Sequence, residues 1–568
     1  MKLQSQLSVQ GKPAPDMEGA GESVDVEPVA NFSFWSLRSA RFRLTIVLMV
    51  AVMANTLVRN TLSMAMVCMV NSTALGHHGH SQAELNDSNT TTSGTGACRL
   101  DEDSSSAYDG PLVWDSQDQG FLFSAMYWGG VLSGIPAGFL ADQYNPKIII
   151  SICLTLNLVG CLLTPITAMH GGLIPVFVLR LIMGLGGQAT IFPSIAAITA
   201  HWIPPTERSS VIAIYTAGSQ VASIIGAPLN AFLCKQKQFL DGWPSIFYVT
   251  GFVTVPTVIL WFLAITNSPD ETKFISEREK KFIQLALQKQ NLTKKKVGFR
   301  EVPWKKMLTS MAVIVGVVSN FTLSGMNATL TSYIPTYFKQ SLKFDLSSNG
   351  ALSALPFISQ WIGKIVFAAI SDQLKARTQL SHTWICRIFN SIGSFGVAAF
   401  LIACAYMDCS HAALAVAFVT IANGLFSCQV PGFLTSLVCI APMYTGMVNA
   451  LSRFMGQVGA VVAPYVVGAI TVNGTSGEWR IVFIIIAIAM AFTGTLFLIF
   501  GSAEIQEWAK PTSPFSSDSP VQTITPAAIM SPSGQDPVSH GSTLDLLSDT
   551  VHCAEEDLSS VSSRSFKY

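Results

Sequence analysis

The first residue in this sequence that asks for a chemical explanation is Arg180, which stands inside the apolar run FVLRLIMGLGG at 177–187. A charge near the middle of a bilayer costs at least ~2.5 to 3.5 kcal/mol, so such a residue faces a bundle interior or a water-filled cavity and marks a pathway. Gly184 and Gly187 follow at i+4 and i+7 and share its helix face. Without side chains there, a neighbouring helix or a ligand can come close to the guanidinium. A second stripe reads Asn55, Arg59, Ser63 at i, i+4, i+8. Arg59 lies more than two turns from either end of its apolar span, too deep to snorkel, and is read as lining an anion site. A third stripe, Asn320, Ser324, Asn327, Thr331, has similar helical spacing in the second half of the chain and could face the second stripe across a central cavity. Ser324 and Thr331 also fit simple bonds to neighbouring helices, worth about 0.6 kcal/mol each. Two further cations sit in late spans. Lys364 either snorkels to the cytoplasm or lines the cavity; Arg453, between Gly446 and Gly456, lies deeper and is assigned to the cavity.

The planar fork of arginine suits bidentate carboxylate or phosphate recognition. Arg59, Arg180, Arg453, Asn55, Ser63, Asn320 and Asn327 are therefore the expected substrate-binding residues, for a small anion. Away from their ends the apolar spans carry no Asp, Glu or His. No group there has an ordinary pKa suited to carrying a proton near neutrality, which disfavours obligate proton symport. An anion moving with net charge can be driven by membrane potential. Sodium remains the rival driver, held by helix-break carbonyls and by oxygens such as those of Asn320 and Ser324. Sodium or chloride is the only accessory ion expected, and no organic cofactor. The sequence has no Walker loop, Cys-x-x-Cys pair or His-Glu-x-x-His run, so neither an ATP-driven pump nor a metalloprotease is expected.

Positioning these cations requires a membrane protein. The 568 residues are 50% hydrophobic and only 12% charged, with net charge +0. The mean hydropathy is +0.44, too apolar for an ordinary soluble protein. No basic tract interleaved with aromatics points to nucleic acid. Apolar runs at 44–70 and 120–140 open a series of twelve, continuing at about 148–169, 174–200, 210–233, 245–266, 309–337, 346–370, 384–407, 412–437, 445–470 and 480–501. The expected fold is all-α, twelve transmembrane helices in two six-helix halves. Gly138-Phe-Leu-Ala-Asp142 and Ala369-Ile-Ser-Asp372 mark corresponding acidic turns in the two halves, with Asp142 and Asp372 as gating residues and Gly184 and Gly187 as structural ones.

The domains expected are a disordered cytoplasmic N-terminus at 1–43, a first half at 44–266, a basic cytoplasmic linker at 267–308, a second half at 309–501 and a disordered tail at 502–568. Arg38, Arg41 and Arg43 before the first span place the N-terminus in the cytoplasm, and the linker's Lys and Arg side chains agree. The linker is read as a solvated topology determinant rather than a site for anionic lipid. The loop 71–112 carries sequons at Asn71, Asn86 and Asn89 and far more acids than bases, as expected of a glycosylated lumenal or extracellular loop. His77, His78 and His80 are read as a solvated cluster rather than a metal site. Cys98, in the same oxidising compartment, has Cys409 or Cys234 as candidate partners, and most other cysteines read as small core residues. Leu546-Leu547 and Phe566-Lys567-Tyr568 are weak sorting and peptide-ligand patterns.

The spaced pattern Arg180, Gly184, Pro193, Trp202, Pro204, Pro205, Glu207, Arg208, followed by Gly242-Trp243-Pro244-Ser245, resembles the sodium/phosphate cotransporter, sialin and vesicular glutamate transporter family of the major facilitator superfamily. The similarity runs from Arg43 to about Ala509 and includes Arg59-Asn60, Trp114-Asp115 to Trp128-Gly129, Gly477-Glu478-Trp479 and Glu504 to Trp508. It implies alternating-access transport of an organic or inorganic anion by a chain that works as a monomer in a plasma, endolysosomal or secretory vesicle membrane. The departures are specific. Gln143 replaces the usual basic residue after Asp142. Met183 and Gly187 stand where relatives commonly carry glutamates, Ser436 and Val438 where they carry His and Asp, and Leu323 where the glutamate branch has an arginine. Arg453 replaces a small polar residue. Glutamate is accordingly disfavoured as substrate, and a non-transporting anion sensor with a transporter fold is the alternative function.

Overall fold

A computed structural model describes residues 34–71, 110–293 and 302–510, apart from positions 37, 189, 205–206, 237, 239, 241 and 273–274. Among the described residues the chain forms twelve long helical spans. They are α1 (Ala40–Met69), α2 (Ser116–Gln143), α3 (Pro146–His170), α4 (Leu173–Trp202), α5 (Arg208–Lys235) and α6 (Trp243–Ala264) in the first half. The second half comprises α7 (Met311–Gln340), α8 (Leu346–Arg377), α9 (His382–Ala405), α10 (Cys409–Cys439), α11 (Pro442–Ile470) and α12 (Ser476–Phe500). Among the described residues, eleven are long and apolar enough to cross a membrane, and α2 is 28 residues long. Helices are the form such runs must take, because hydrocarbon offers backbone groups no partner but each other. Several spans are interrupted. α4 breaks between Gly187 and Ile191, and α8 between Leu352 and Leu355. α10 passes through a 3₁₀ turn and a π turn around Pro431 and Gly432.

Contacts between the halves fall between α2 and α11, between α5 and α8 and between α1 and α7. Many lie on the side of the Asn71 loop. Lys339 Nζ donates to the Val67 carbonyl at 3.0 Å, and Ser63 Oγ to the Ser332 carbonyl at 2.9 Å. A Cβ on Gly350 would meet Ala231 Cβ at 2.3 Å, and one on Gly468 the Ser116 carbonyl at 2.5 Å, so these positions bring the halves together at backbone distance. Cys68 is disulfide-bonded to Cys234, tying the end of α1 to that of α5. This corrects two expectations: Cys68 is not a plain core residue, and Cys234 is not available to Cys98. Cys409 is also disulfide-bonded. Cys98, Asn86, Asn89, His77, His78, His80 and the C-terminal motifs lie outside the described residues. Asn71 is within them, its N–H donating to the Leu112 carbonyl at 2.8 Å.

Three expected boundaries move. α1 begins at Ala40 rather than Leu44, and Phe34 is already buried, so 34–43 is not part of a disordered tail. Residues 502–510 pack as well: Gln506 N–H donates to the Ile440 carbonyl, and Ala509 is buried. The linker is not merely solvated charge, because Glu277–Thr293 is a helix whose Glu279 caps α1. The Glu279 carboxylate accepts from Ser39 Oγ at 2.8 Å, Ala40 N–H at 3.1 Å and Arg41 Nε at 3.0 Å. Arg41, read from the sequence as a topology charge, is fully buried and also pairs with Glu207 of the α4–α5 loop.

Burial raises the pKa of both acids. At Glu279 the donated hydrogen bonds outweigh it and the pKa is lowered; at Glu207 burial outweighs Arg41 and it is raised. A lowered carboxylate pKa contributes stability above its unfolded value and loses it as pH falls through the folded value. Glu279→Gln should therefore destabilise the protein by about 2 kcal/mol at pH 7, with a penalty that shrinks as pH falls below about 4. Thermal melts of purified protein across that range check this; a penalty independent of pH would contradict it.

Candidate functional site

The two arginines singled out by sequence converge. A small cavity is lined by Arg59, Asn60 and Ser63 of α1, by Phe123, Met126 and Tyr127 of α2, by Arg180 of α4 and by Thr331 and Ser332 of α7. Among the described residues no carboxylate lines it. Arg180 is 3% exposed, and its Nε and Nη1 have no hydrogen-bond partner among the described residues. Arg59 is half-buried, with Nε donating to Asn60 Oδ1 at 3.4 Å. A buried guanidinium with unpartnered donors is costly in isolation, and those donors are open to a partner of opposite charge.

The position of Arg180 is set by a helix crossing. A Cβ on Gly184 would meet the Met126 carbonyl at 2.1 Å, and one on Gly129 the Leu181 carbonyl at 2.4 Å. Glycine on both sides lets α2 and α4 touch through their backbones, which places Met126 and Tyr127 beside Arg180. The expectation of close approach at Gly184 therefore holds, with a helix as the visitor. Gly187 serves packing too, since its missing side chain leaves room for Asn55 and Asn157.

Other expected binding residues are used elsewhere. Asn55 accepts from Asn157 Nδ2 at 2.8 Å and donates to the Gly187 carbonyl, so its amide joins α1, α3 and α4 and does not reach the cavity. A glutamate at Gly187 would displace this pair. Asn320 donates to the Ser452 carbonyl at 2.7 Å and accepts from Ser324 Oγ, joining α7 to α11. Asn327 is half-exposed and lines neither this cavity nor its neighbour. Arg453 is also absent from both walls; its guanidinium lies 5.9 Å from the ring centroid of Phe192 on α4, a contact between the halves. Lys364 neither snorkels nor lines these cavities: its Nζ points at the Gln220 side-chain amide on α5, whose oxygen accepts from it once that amide is turned over. Asp372 sits near the end of α8, 3.5 Å from Lys375 Nζ. Asp142 falls on the last turn of α2, before Asn145 caps α3.

Thr331, read as a packing residue, lines the cavity, as do Asn60, Tyr127 and Ser332. For Asn60 a signal existed in its place beside Arg59. Tyr127 and Ser332 have none in helical spacing, because they come from helices that only folding brings to the arginines.

Two halves of six spans meeting at a cationic central cavity define a transporter of the alternating-access kind. The comparisons agree. Residues 48–395 match the profile of the Major Facilitator Superfamily. The chain is 33% identical to human sialin over 396 residues, covering 70% of this chain and 78% of sialin. It is 32% identical to an uncharacterized transporter of Caenorhabditis elegans, covering 83% and 90%. It is also 32% identical to vesicular glutamate transporter 3 of Danio rerio, covering 70% and 66%. In fold it resembles the crystal structure of the D-xylose-proton symporter, with TM-score 0.57 and 12% identity over 82% of this chain and 99% of that one. The chain belongs to the major facilitator superfamily and, within it, to the sodium/phosphate cotransporter, sialin and vesicular glutamate transporter family. It is a multi-pass membrane transporter and not an enzyme.

Proposed function

We propose that this chain carries a small organic or inorganic anion across its membrane by alternating access, holding the acid group between Arg59 and Arg180. The observation that carries this reading is Arg180, buried with unpartnered Nε and Nη1 at a cavity that Arg59 shares and no carboxylate lines. The relatives named above as transporters favour transport over the sensor function.

For the driving force we propose membrane potential, with sodium as the rival. The acids and histidines of the described spans sit at their ends, so the cavity offers no ordinary proton carrier. Each elementary charge crossing 100 mV is worth about 2.3 kcal/mol, enough for roughly a fiftyfold gradient. No organic cofactor enters this scheme, and sodium or chloride is the coupling ion it admits. The test is uptake into reconstituted vesicles, first screening labelled phosphate, carboxylates and nucleotides, then imposing potential, sodium gradient and proton gradient separately. Accumulation driven by potential or sodium is expected. Accumulation driven by a proton gradient at zero potential, with none from potential or sodium alone, would overturn the scheme.

A further inference from the structure

Two cations of the second half, Lys364 on α8 and Arg453 on α11, lie within spans but outside the walls of the arginine cavity. We propose that they form a charge-selective gate between that cavity and the side of the membrane that carries the 267–308 linker, passing anions and rejecting cations. The proposal rests on the anion transport proposed above and adds two residues that the central cavity does not contain.

At about 1.5 Å per residue, Lys364 stands about 20 Å and Arg453 about 15 Å from the linker end of its helix, whereas Arg59 stands about 28 Å from that end of α1. Each reaches across to the first half. Lys364 Nζ lies 2.5 Å from the Gln220 side-chain oxygen in the orientation that also lets the Gln220 amide donate to the Thr216 carbonyl at 2.9 Å. An ammonium has only donors, so it selects that orientation. Arg453 stands 5.9 Å from the Phe192 ring centroid on α4, and Tyr215 of α5 lies within reach of its charge. Neither cation has an ion pair among the described residues. Ser223, one turn above Gln220, and Phe357, two turns above Lys364, line the small cavity that shares Asn60 and Thr331 with the arginine cavity. The contact of Lys364 with Gln220 therefore lies directly beneath it. Below Arg453 the way is open. Arg453 is exposed, and a Cβ on Gly446, two turns nearer the linker end on the same face, would meet nothing within 4 Å.

The two sides of the cavity are closed by different kinds of contact. Toward the Asn71 loop the halves meet through glycines and through donors on backbone carbonyls, as where Ser116 Oγ donates to the Thr471 carbonyl at 2.5 Å. Toward the linker, Lys364 and Arg453 meet neutral partners through the tips of long side chains. An amide oxygen and a ring face carry only partial charge, so an anion is a stronger partner for either cation. An anion leaving Arg59 and Arg180 replaces Gln220 and Phe192 as that partner and opens the passage by occupying it. A cation on the same route meets two like charges with no acid to offset them, in a passage where the low dielectric of the walls strengthens the repulsion.

The experiment measures how fast two thiol reagents of similar size, methanethiosulfonates bearing a sulfonate or a trimethylammonium group, modify Thr331→Cys in the purified full-length protein. Thr331 lines both small cavities, above the gate. Each rate is divided by that of the same reagent with a free thiol in solution, and protein without the introduced cysteine gives the background. The sulfonate should react at least about tenfold faster than the trimethylammonium reagent. Adding Lys364→Met and Arg453→Met should cut that ratio at least about fivefold by admitting the cationic reagent, while Lys364→Arg, which keeps the charge, should preserve it. Lys364→Gln with Arg453→Asn takes the place of the methionine pair if the latter fails to fold by its melting curve. A ratio near one with both cations present, or a ratio unmoved by folded variants, overturns the gate. Arg180→Gln in the Thr331→Cys protein separates the gate from the central site. If Arg180→Gln abolishes the ratio and the changes at Lys364 and Arg453 do not, the gate fails and the anion site stands. If the changes at Lys364 and Arg453 abolish it, the gate stands, and uptake by Arg180 variants judges the anion site separately.

Discussion

Arg180→Met is expected to abolish anion uptake while leaving the melting temperature of the substrate-free protein unchanged or higher. The two halves of that result come from one observation. Arg180 is 3% exposed, and its Nε and Nη1 are unpartnered among the described residues, so in the empty protein its charge is a liability. Replacing an uncompensated buried charge by an apolar side chain of similar length removes a desolvation penalty. With substrate bound, the same change removes a buried charge-assisted contact, a loss on the order of 3 kcal/mol or about a hundredfold in affinity. Arg180→Lys should fall between the two, because the charge survives and the bidentate fork does not. Arg59→Lys should impair uptake in the same way. Uptake in vesicles and melting of the same preparations read both halves. Near-normal transport by both lysine variants would remove the bidentate assignment. Lost transport with a sharply lowered melting temperature in Arg180→Met would make Arg180 a structural residue.

The second large effect is steric. Gly184→Ala would place a Cβ 2.1 Å from the Met126 carbonyl, far inside contact distance and against backbone that cannot rotate away. α2 and α4 would have to separate by about an ångström, and overpacking of this kind typically costs 1–3 kcal/mol, occasionally more. Tyr127 lies on the displaced helix and Arg180 one turn from the clash, so the cavity would change shape even in protein that still folds. The expected outcome is lower yield of folded protein and loss of uptake in the folded fraction. Gly446→Ala is the control, since a Cβ there meets nothing within 4 Å. Equal behaviour of the two variants would show that the crossing of α2 and α4 does not set the site.

The sequence by itself determined the number and approximate limits of the spans, because an apolar run long enough to cross hydrocarbon must be helical wherever it packs. It also determined Arg59 and Arg180, since a charge in such a run needs a reason whatever the fold. Periodicity went too far with Asn55 and Asn320. A helical stripe states which residues share a face and not what that face meets, and both amides meet other helices. Arg41 shows the same limit from the other side: a basic residue before a span reads as a topology signal, and its place in the sequence does not reveal that Glu279, far along the chain, encloses it and caps α1. Only the tertiary structure decided which polar residues line the cavity. Tyr127 and Ser332 lie on helices that sequence spacing cannot relate to Arg180, and their exposure to the cavity depends on glycine crossings and helix breaks set by packing between spans.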